Sequence, residues 1–130
     1  NTLSVQWLED ELVVARLSAD APAPALPADA FWSLTRTRDE LSLVIAAQRL
    51  PPGITVVEPG WSALQVIGPL DFSMVGVLSA LAQPLAAARI SIFALSTFDT
   101  DYILLRSTDA EHAETVLRAE GIRFCNSRHS

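Results

Sequence analysis

The stretch that decides the fold runs from Trp61 to Cys125, WSALQVIGPLDFSMVGVLSALAQPLAAARISIFALSTFDTDYILLRSTDAEHAETVLRAEGIRFC. Trp61 to Ile67 is apolar and partly alternating, then Gly68, Pro69 and Asp71 interrupt it, the pattern of a strand running into a tight loop. Phe72 to Ala88 follows with Val75, Leu78, Leu81, Ala82 and Leu85 at three- and four-residue spacing, which predicts a helix. Pro84 removes one backbone donor late in that helix, so a kink or a loosened last turn is expected. Arg89 to Thr97 and Tyr102 to Arg106 are rich in Ile, Phe and Leu, and the polar turn Phe98 to Asp101 joins them as a hairpin. Thr108 and Glu111 have the spacing of a capping box, predicting a second helix that Gly121 ends, with Ala110, Ala113, Val116 and Leu117 as its apolar stripe. Ile122 to Cys125 reads as a closing strand. The order βαββαβ is the split arrangement of a ferredoxin-like sandwich, an α+β fold.

Upstream, the same order is echoed with its helices cut away. Phe31 to Val44 aligns without gaps on Ile92 to Leu105, setting Leu34 over Leu95, Thr35 over Ser96, Glu40 over Asp101 and Leu43 over Leu104. A duplicated hairpin is the simplest reading. Leu12 to Ser18 would be the first strand of this repeat, yet only 12 residues separate Ser18 from Phe31, against 24 between Ile67 and Ile92. No helix fits there, and Pro22, Pro24 and Pro27 forbid one. Ala46 to Leu50 has room for one helical turn. Ile54 to Glu58 reads as the closing strand, ended by a turn at Pro59 and Gly60. Two units are therefore expected, a degenerate one over residues 1–59 and a complete one over 60–130, sharing antiparallel sheets.

Composition narrows the function. The chain has 130 residues, a formal charge of −6 and 50% apolar residues. Its acidity and lack of any basic run argue against nucleic acid and anionic membrane surfaces as partners. All nine basic residues are Arg, so Schiff-base chemistry and phosphate loops that use a lysine are excluded. One cysteine, Cys125, allows no internal disulfide, and His112 and His129 do not make a zinc pattern, so no cofactor or metal is expected and reducing, cytoplasmic conditions fit. No apolar stretch reaches the roughly 20 residues of a membrane span, and the start lacks the features of a signal peptide. The chain opens at Asn1 without Met, which points to a trimmed or incomplete N-terminus.

Two segments carry polar chemistry. Gly68-Pro69-Leu70-Asp71-Phe72-Ser73, with Gly76 one turn on, leads into a helix whose first N–H groups are able to hold a carboxylate. The same residues serve equally as a plain strand-to-helix turn capped by Asp71 or Ser73. Ser96-Thr97-Phe98-Asp99-Thr100-Asp101 offers two carboxylates, three hydroxyls and an aromatic ring, either as a binding edge for a ligand ammonium or as a solvated turn. A catalytic dyad of Asp99 and Asp101 is rejected for want of a second acid–base pair, and calcium for want of the glycine and distal glutamate of a hand-type loop. Trp7, Trp32 and Trp61 read as core or interface anchors.

Trp61-Ser62-Ala63-Leu64-Gln65-Val66, the Gly68 to Ser73 loop with Gly76, Pro84-Leu85-Ala86, Ile90 to Phe93 and above all Ser96 to Leu104 together resemble the ACT-domain family, and within it the small tandem-ACT proteins related to the CASTOR-type arginine sensors. Phe31 to Thr37 and Asp39 to Val44 are similar to that family's first-repeat hairpin. The resemblance implies tandem ACT units and a non-catalytic regulatory module that recognises an amino acid, or a similar small zwitterion, at an interface between ACT units. By position, the backbone of Ile67, Gly68, Pro69, Leu70, Asp71, Phe72 and Gly76 would meet the ligand's carboxylate and amine. Ser96, Thr97, Phe98 and Asp101 would line the pocket, with Asp101 receiving a cationic group. One tandem pair per chain implies a homodimer with two equivalent pockets, and a regulated protein partner. The alternative within the same resemblance is a protein interaction module with a vestigial pocket.

Overall fold

The computed structural model describes residues 3–68 and 76–127. The chain divides into two compact units, one of residues 10–61 and one that combines residues 3–9 with 62–127. Residues 3–9, which a cut at residue 59 leaves with the first unit, therefore pack with the second.

The unit of residues 10–61 contains β2 (Leu12–Leu17), β3 (Trp32–Arg36), β4 (Leu41–Ala46) and the first part of β5 (Val56–Gly68), with β1 (Ser4–Trp7) lying outside it. The strand order is β3-β4-β2-β5, and each neighbouring pair is antiparallel. This is the order a ferredoxin-like unit has, with both crossover helices replaced. The expected absence of the first helix holds: residues 18–31 contain no helix. That loop is tied to the edge strand β3, because the Arg36 guanidinium donates to the carbonyls of Ala19 and Ala21, and Trp32 Nε1 donates to the Pro27 carbonyl at 2.6 Å. One face of the sheet is thereby covered, with Val13, Ala15, Leu43 and Ile45 buried under Leu26, Leu34, Leu50, Ile54 and Val57. The second helix stops after the 3-10 turn Ala47–Arg49. Pro51, Pro52 and Gly53 come next, and two missing donors followed by a glycine do not propagate a helix.

The turn expected at Pro59 and Gly60 is not a turn. β5 runs unbroken from Val56 to Gly68, and its pairing to β2 slips between Leu12 opposite Trp61 and Val14 opposite Glu58. One extra residue on β5 makes a β-bulge, and Gly60 at φ 85° supplies the left-handed residue it needs. The proline–glycine pair that punctuates loops elsewhere here bends a strand.

In the other unit, β1 pairs antiparallel with the 64–68 part of β5 and parallel with β8 (Arg123–Phe124). β6 (Ile92–Ser96) and β7 (Asp101–Arg106) form the expected hairpin, and β7 pairs β5. The place beside β5 that the last strand of a plain βαββαβ unit would fill is taken by β1, and the two-residue β8 lies beyond it. Helices α1 (Val77–Ala87) and α2 (Ala110–Ala119) bury Leu81, Leu85, Ala113 and Leu117 in one cluster with Val5, Trp7, Leu64, Val66, Ile103 and Leu105. Burying a side chain such as Leu81 stabilises by about 1.5–3 kcal/mol. The helix expected from Phe72 begins at Val77, behind Gly76, and residues 72–75 lie outside the described residues. The start of α2 also departs from expectation. It opens through a 3-10 turn, Ser107–Asp109, and its cap position falls on Asp109 without a side-chain cap bond, so the Thr108–Glu111 box does not mark the boundary.

Beneath α2 the polar groups are satisfied in a chain. Trp7 Nε1 donates to Glu114 Oε1 at 2.8 Å, Arg118 Nε donates to Glu114 Oε2 at 2.9 Å, and the Arg118 guanidinium lies 4.9 Å from the centre of the Phe124 ring. The Asn126 side chain closes the group, accepting from the Trp7 N–H at 2.7 Å and donating to the Trp7 carbonyl at 2.9 Å. One side-chain amide thus continues the ladder that β8 is too short to make.

Candidate functional site

The candidate residues sit at one end of β5 and on the β6–β7 turn. Ser96 and Asp101 are the last facing pair of the hairpin, and Ser96 Oγ donates to Asp101 Oδ1 at 2.6 Å. Between them Thr97 organises the turn: its N–H donates to the Thr100 carbonyl at 2.8 Å, and its hydroxyl accepts from the N–H groups of Asp99 and Thr100 at 3.3 and 3.2 Å. A hydroxyl that replaces a backbone partner in this way fixes a turn. Phe98, at the tip, is 83% exposed, so the ring is presented to solvent and not packed into the core.

Thr100 Oγ1 donates to the Val66 carbonyl at 2.5 Å. This bond ties the turn to the strand end that leads through Ile67 and Gly68 toward the loop. Ile67 is 43% exposed, and Gly68, the last residue of β5, faces Ser4. Pro69, Leu70, Asp71 and Phe72 lie outside the described residues. Beyond them Gly76 caps α1 at φ 89°, and its carbonyl accepts the first helical bond, from Ala80 N–H, at 2.8 Å. A positive φ at a helix cap is a glycine conformation, and a side chain there would be strained. Near this turn, burial raises the Tyr102 phenol above its ordinary value. Among the described residues no group of three or more His, Cys, Asp or Glu is placed to hold a metal ion, and no helix is long and apolar enough to cross a membrane.

Thr100, counted among the hydroxyls of the Ser96–Asp101 edge but not among the expected pocket residues, joins the two segments. The duplication carries no signal for Thr100, whose counterpart is Glu40, and the alignment that sets Leu34 over Leu95 is one residue out. Arg36 faces Leu41 as Ser96 faces Asp101, so the hairpins are equivalent at an offset of 60 residues and not at the 61 that set Leu34 over Leu95. At this offset Thr37 and Thr97 coincide and make the same bonds: Thr37 N–H to the Glu40 carbonyl at 2.9 Å, and its hydroxyl to the N–H groups of Asp39 and Glu40 at 3.1 and 3.2 Å. The 3-10 turns Ala47–Arg49 and Ser107–Asp109 coincide as well. A slip of one residue exchanges the two faces of a strand, so the correction changes which side chains are counterparts.

The sequence pattern of the ACT domain matches residues 56–119. A solved structure, protein Atu0741 from Agobacterium tumefaciens, is 35% identical and superposes with a TM-score of 0.87 over 100% of this chain and 99% of its own. The chain belongs to the ACT-domain family. Its tandem ACT fold is that of the regulatory subunit of aspartate kinase from Thermus thermophilus, with a TM-score of 0.64 over 89% of this chain and 95% of that one at 14% identity. A more distant curated relative is the bovine (Bos taurus) cytosolic arginine sensor for mTORC1 subunit 1, 32% identical over 89 residues, which are 61% of this ACT chain. The chain spans 27% of that sensor's length and 63% of the length of a second curated relative.

Proposed function

We propose that this ACT protein binds a free amino acid or a similar small zwitterion at an interface between ACT units of two copies, and that occupancy controls a regulated protein partner in the cytoplasm. The observation that carries the reading is the Thr100–Val66 bond, because it holds the Ser96–Asp101 stretch against the strand end that enters the glycine-bordered loop. Asp101, oriented by Ser96, supplies the carboxylate for a ligand cation. The bovine relative's name, an arginine sensor found in the cytosol, supports both the ligand class and the compartment. A homodimer follows from carrying one tandem pair in a family whose pockets lie between units.

A ligand bound only by the folded state raises its stability by about 2.7 kcal/mol at a hundred times its Kd. Thermal melts against each of the twenty amino acids at millimolar concentration should show at least one such rise, and Asp101→Asn should remove it while leaving the unliganded melt in place. A flat panel defeats the proposal. The 83% exposure of Phe98 favours a second reading, in which the turn docks on a protein and the pocket is vestigial. Under that reading Phe98→Ser abolishes partner capture, and no amino acid alters it.

A further inference from the structure

The unit of residues 10–61 has a shallow groove of about 250 Å³ whose lining includes Val14, Arg16, Glu40, Ser42, Val56 and Glu58. Register explains it. Arg16 faces Ser42 on one side and Val56 on the other, and Val14 faces Glu58. Facing residues share a face, and residues two apart on a strand do too, so Val14, Arg16, Ser42, Val56 and Glu58 project from one side of the sheet. Val13, Ala15, Leu43 and Val57 project from the other, into the core beneath the proline-rich loop. The groove is thus on the side opposite that core, with an apolar floor from Val14 and Val56, one guanidinium, two carboxylates and a hydroxyl.

The guanidinium is only loosely engaged. Arg16 donates to the Asp39 carbonyl at 3.1 Å and lies 3.7 Å from Glu40, with side chains 57% and 41% exposed. A tight guanidinium–carboxylate pair closes to about 2.7–2.9 Å and is often bidentate. An exposed pair at this length contributes at most about 1 kcal/mol, so an incoming carboxylate displaces it at small cost. Arg has five donors, and the two contacts leave others for a ligand.

We propose that this groove is a second small-molecule site that takes a free amino acid with an apolar side chain: its carboxylate on Arg16 and Ser42, its ammonium on Glu58, its side chain over Val14 and Val56. The site is separate from the β6–β7 turn and independent of the function proposed there.

The test is an NMR titration of the ¹⁵N-labelled full chain with L-leucine, with 4-methylpentanoate, which lacks the amine, and with isoamylamine, which lacks the carboxylate. Leucine should move the amides of Val14 to Arg16, Ser42 and Val56 to Glu58 saturably, with each half-ligand at least about tenfold weaker, as expected when one charged hydrogen-bonded contact is lost. Arg16→Gln should weaken leucine by a similar factor without altering isoamylamine, and Glu58→Gln should do the converse with 4-methylpentanoate. Both side chains are surface groups, and an unchanged thermal melt certifies each variant; Arg16→Lys, which keeps the charge, should retain part of the affinity. No saturable shift at these amides overturns the proposal, as does leucine binding that both variants leave unchanged. Shifts confined to residues 96–101 overturn it while supporting the other site, and saturable shifts confined to the groove support it without bearing on the other site.

Discussion

Replacing Glu114 by Ala should cost far more than a surface glutamate would. Its side chain is 7% exposed and accepts from Trp7 Nε1 at 2.8 Å and from Arg118 at 2.9 Å. Truncation strands the indole N–H of a tryptophan that is 3% exposed, at about 1–3 kcal/mol. The lost pair with Arg118 adds less, at most about 1 kcal/mol, because that guanidinium is half exposed and already screened. The sum is about 1–4 kcal/mol, a fall of roughly 4 °C or more in a unit of this size. Glu114→Gln keeps an acceptor for Trp7 and should lose only about 1 kcal/mol. Urea denaturation followed by far-UV circular dichroism measures both, and the cycle with Trp7→Phe isolates the shared bond, with a coupling of about 1–2 kcal/mol. If Glu114→Ala lies within about 0.5 kcal/mol of the parent, or the cycle shows no coupling, the bond does not hold β1 in place.

Other substitutions probe the backbone. Arg89 adopts φ 64° immediately after α1, a conformation that costs a side chain about 1 kcal/mol or more, so Arg89→Gly should raise the melting temperature by a few degrees. Gly60→Ala meets no atom within 4 Å, so its expected loss of about 1–2 kcal/mol is purely conformational, and a neutral result would remove the bulge argument. Thr37→Ala and Thr97→Ala each delete three hydroxyl–backbone bonds of matching geometry, and denaturation should give equal losses of about 1 kcal/mol. Because burial raises the Tyr102 pKa, the folded chain holds that proton where the unfolded chain has released it; stability should fall as pH climbs past 10, and Tyr102→Phe should flatten the alkaline limb of a pH series of melts.

The complete unit was legible because its signals are local. Leu81 and Leu85, Ala113 and Leu117 announce their helices by spacing alone, and the alternating runs on either side of the β6–β7 turn announce a hairpin. What escaped was set by long-range pairing. The position of β1 between β5 and β8 depends on Asn126 closing on Trp7 across 119 residues, which no periodicity in Ser4–Trp7 encodes. Pro59 and Gly60 carry the same letters in a bulge as in a turn; only β2, pairing on both sides of them, decides between the two. The capping box failed for a related reason. Ser107 is held by Ser62 at 2.8 Å, a contact from β5 to the first residue of the 3-10 turn, so the helix entry follows the sheet and not the Thr108 side chain.

The corrected register also changes what the duplication says about ligands. At an offset of 60, Thr97 has kept its counterpart Thr37 and Asp99 its counterpart Asp39, the residues whose hydroxyl and backbone groups build the turn. The side chains that make none of these turn bonds have diverged: Phe98 against Arg38, Thr100 against Glu40, Asp101 against Leu41. In one unit the turn is fastened to the neighbouring strand by an uncharged hydroxyl on the Val66 carbonyl. In the other, the Arg16 guanidinium takes that place, donating to the Asp39 carbonyl at 3.1 Å and lying 3.7 Å from Glu40, and both Arg16 and Glu40 line the groove. Shared turn geometry with exchanged chemistry follows from a division of labour, since the common backbone and hydroxyl bonds fix the shape of the turn and the diverged side chains fix which charge it presents.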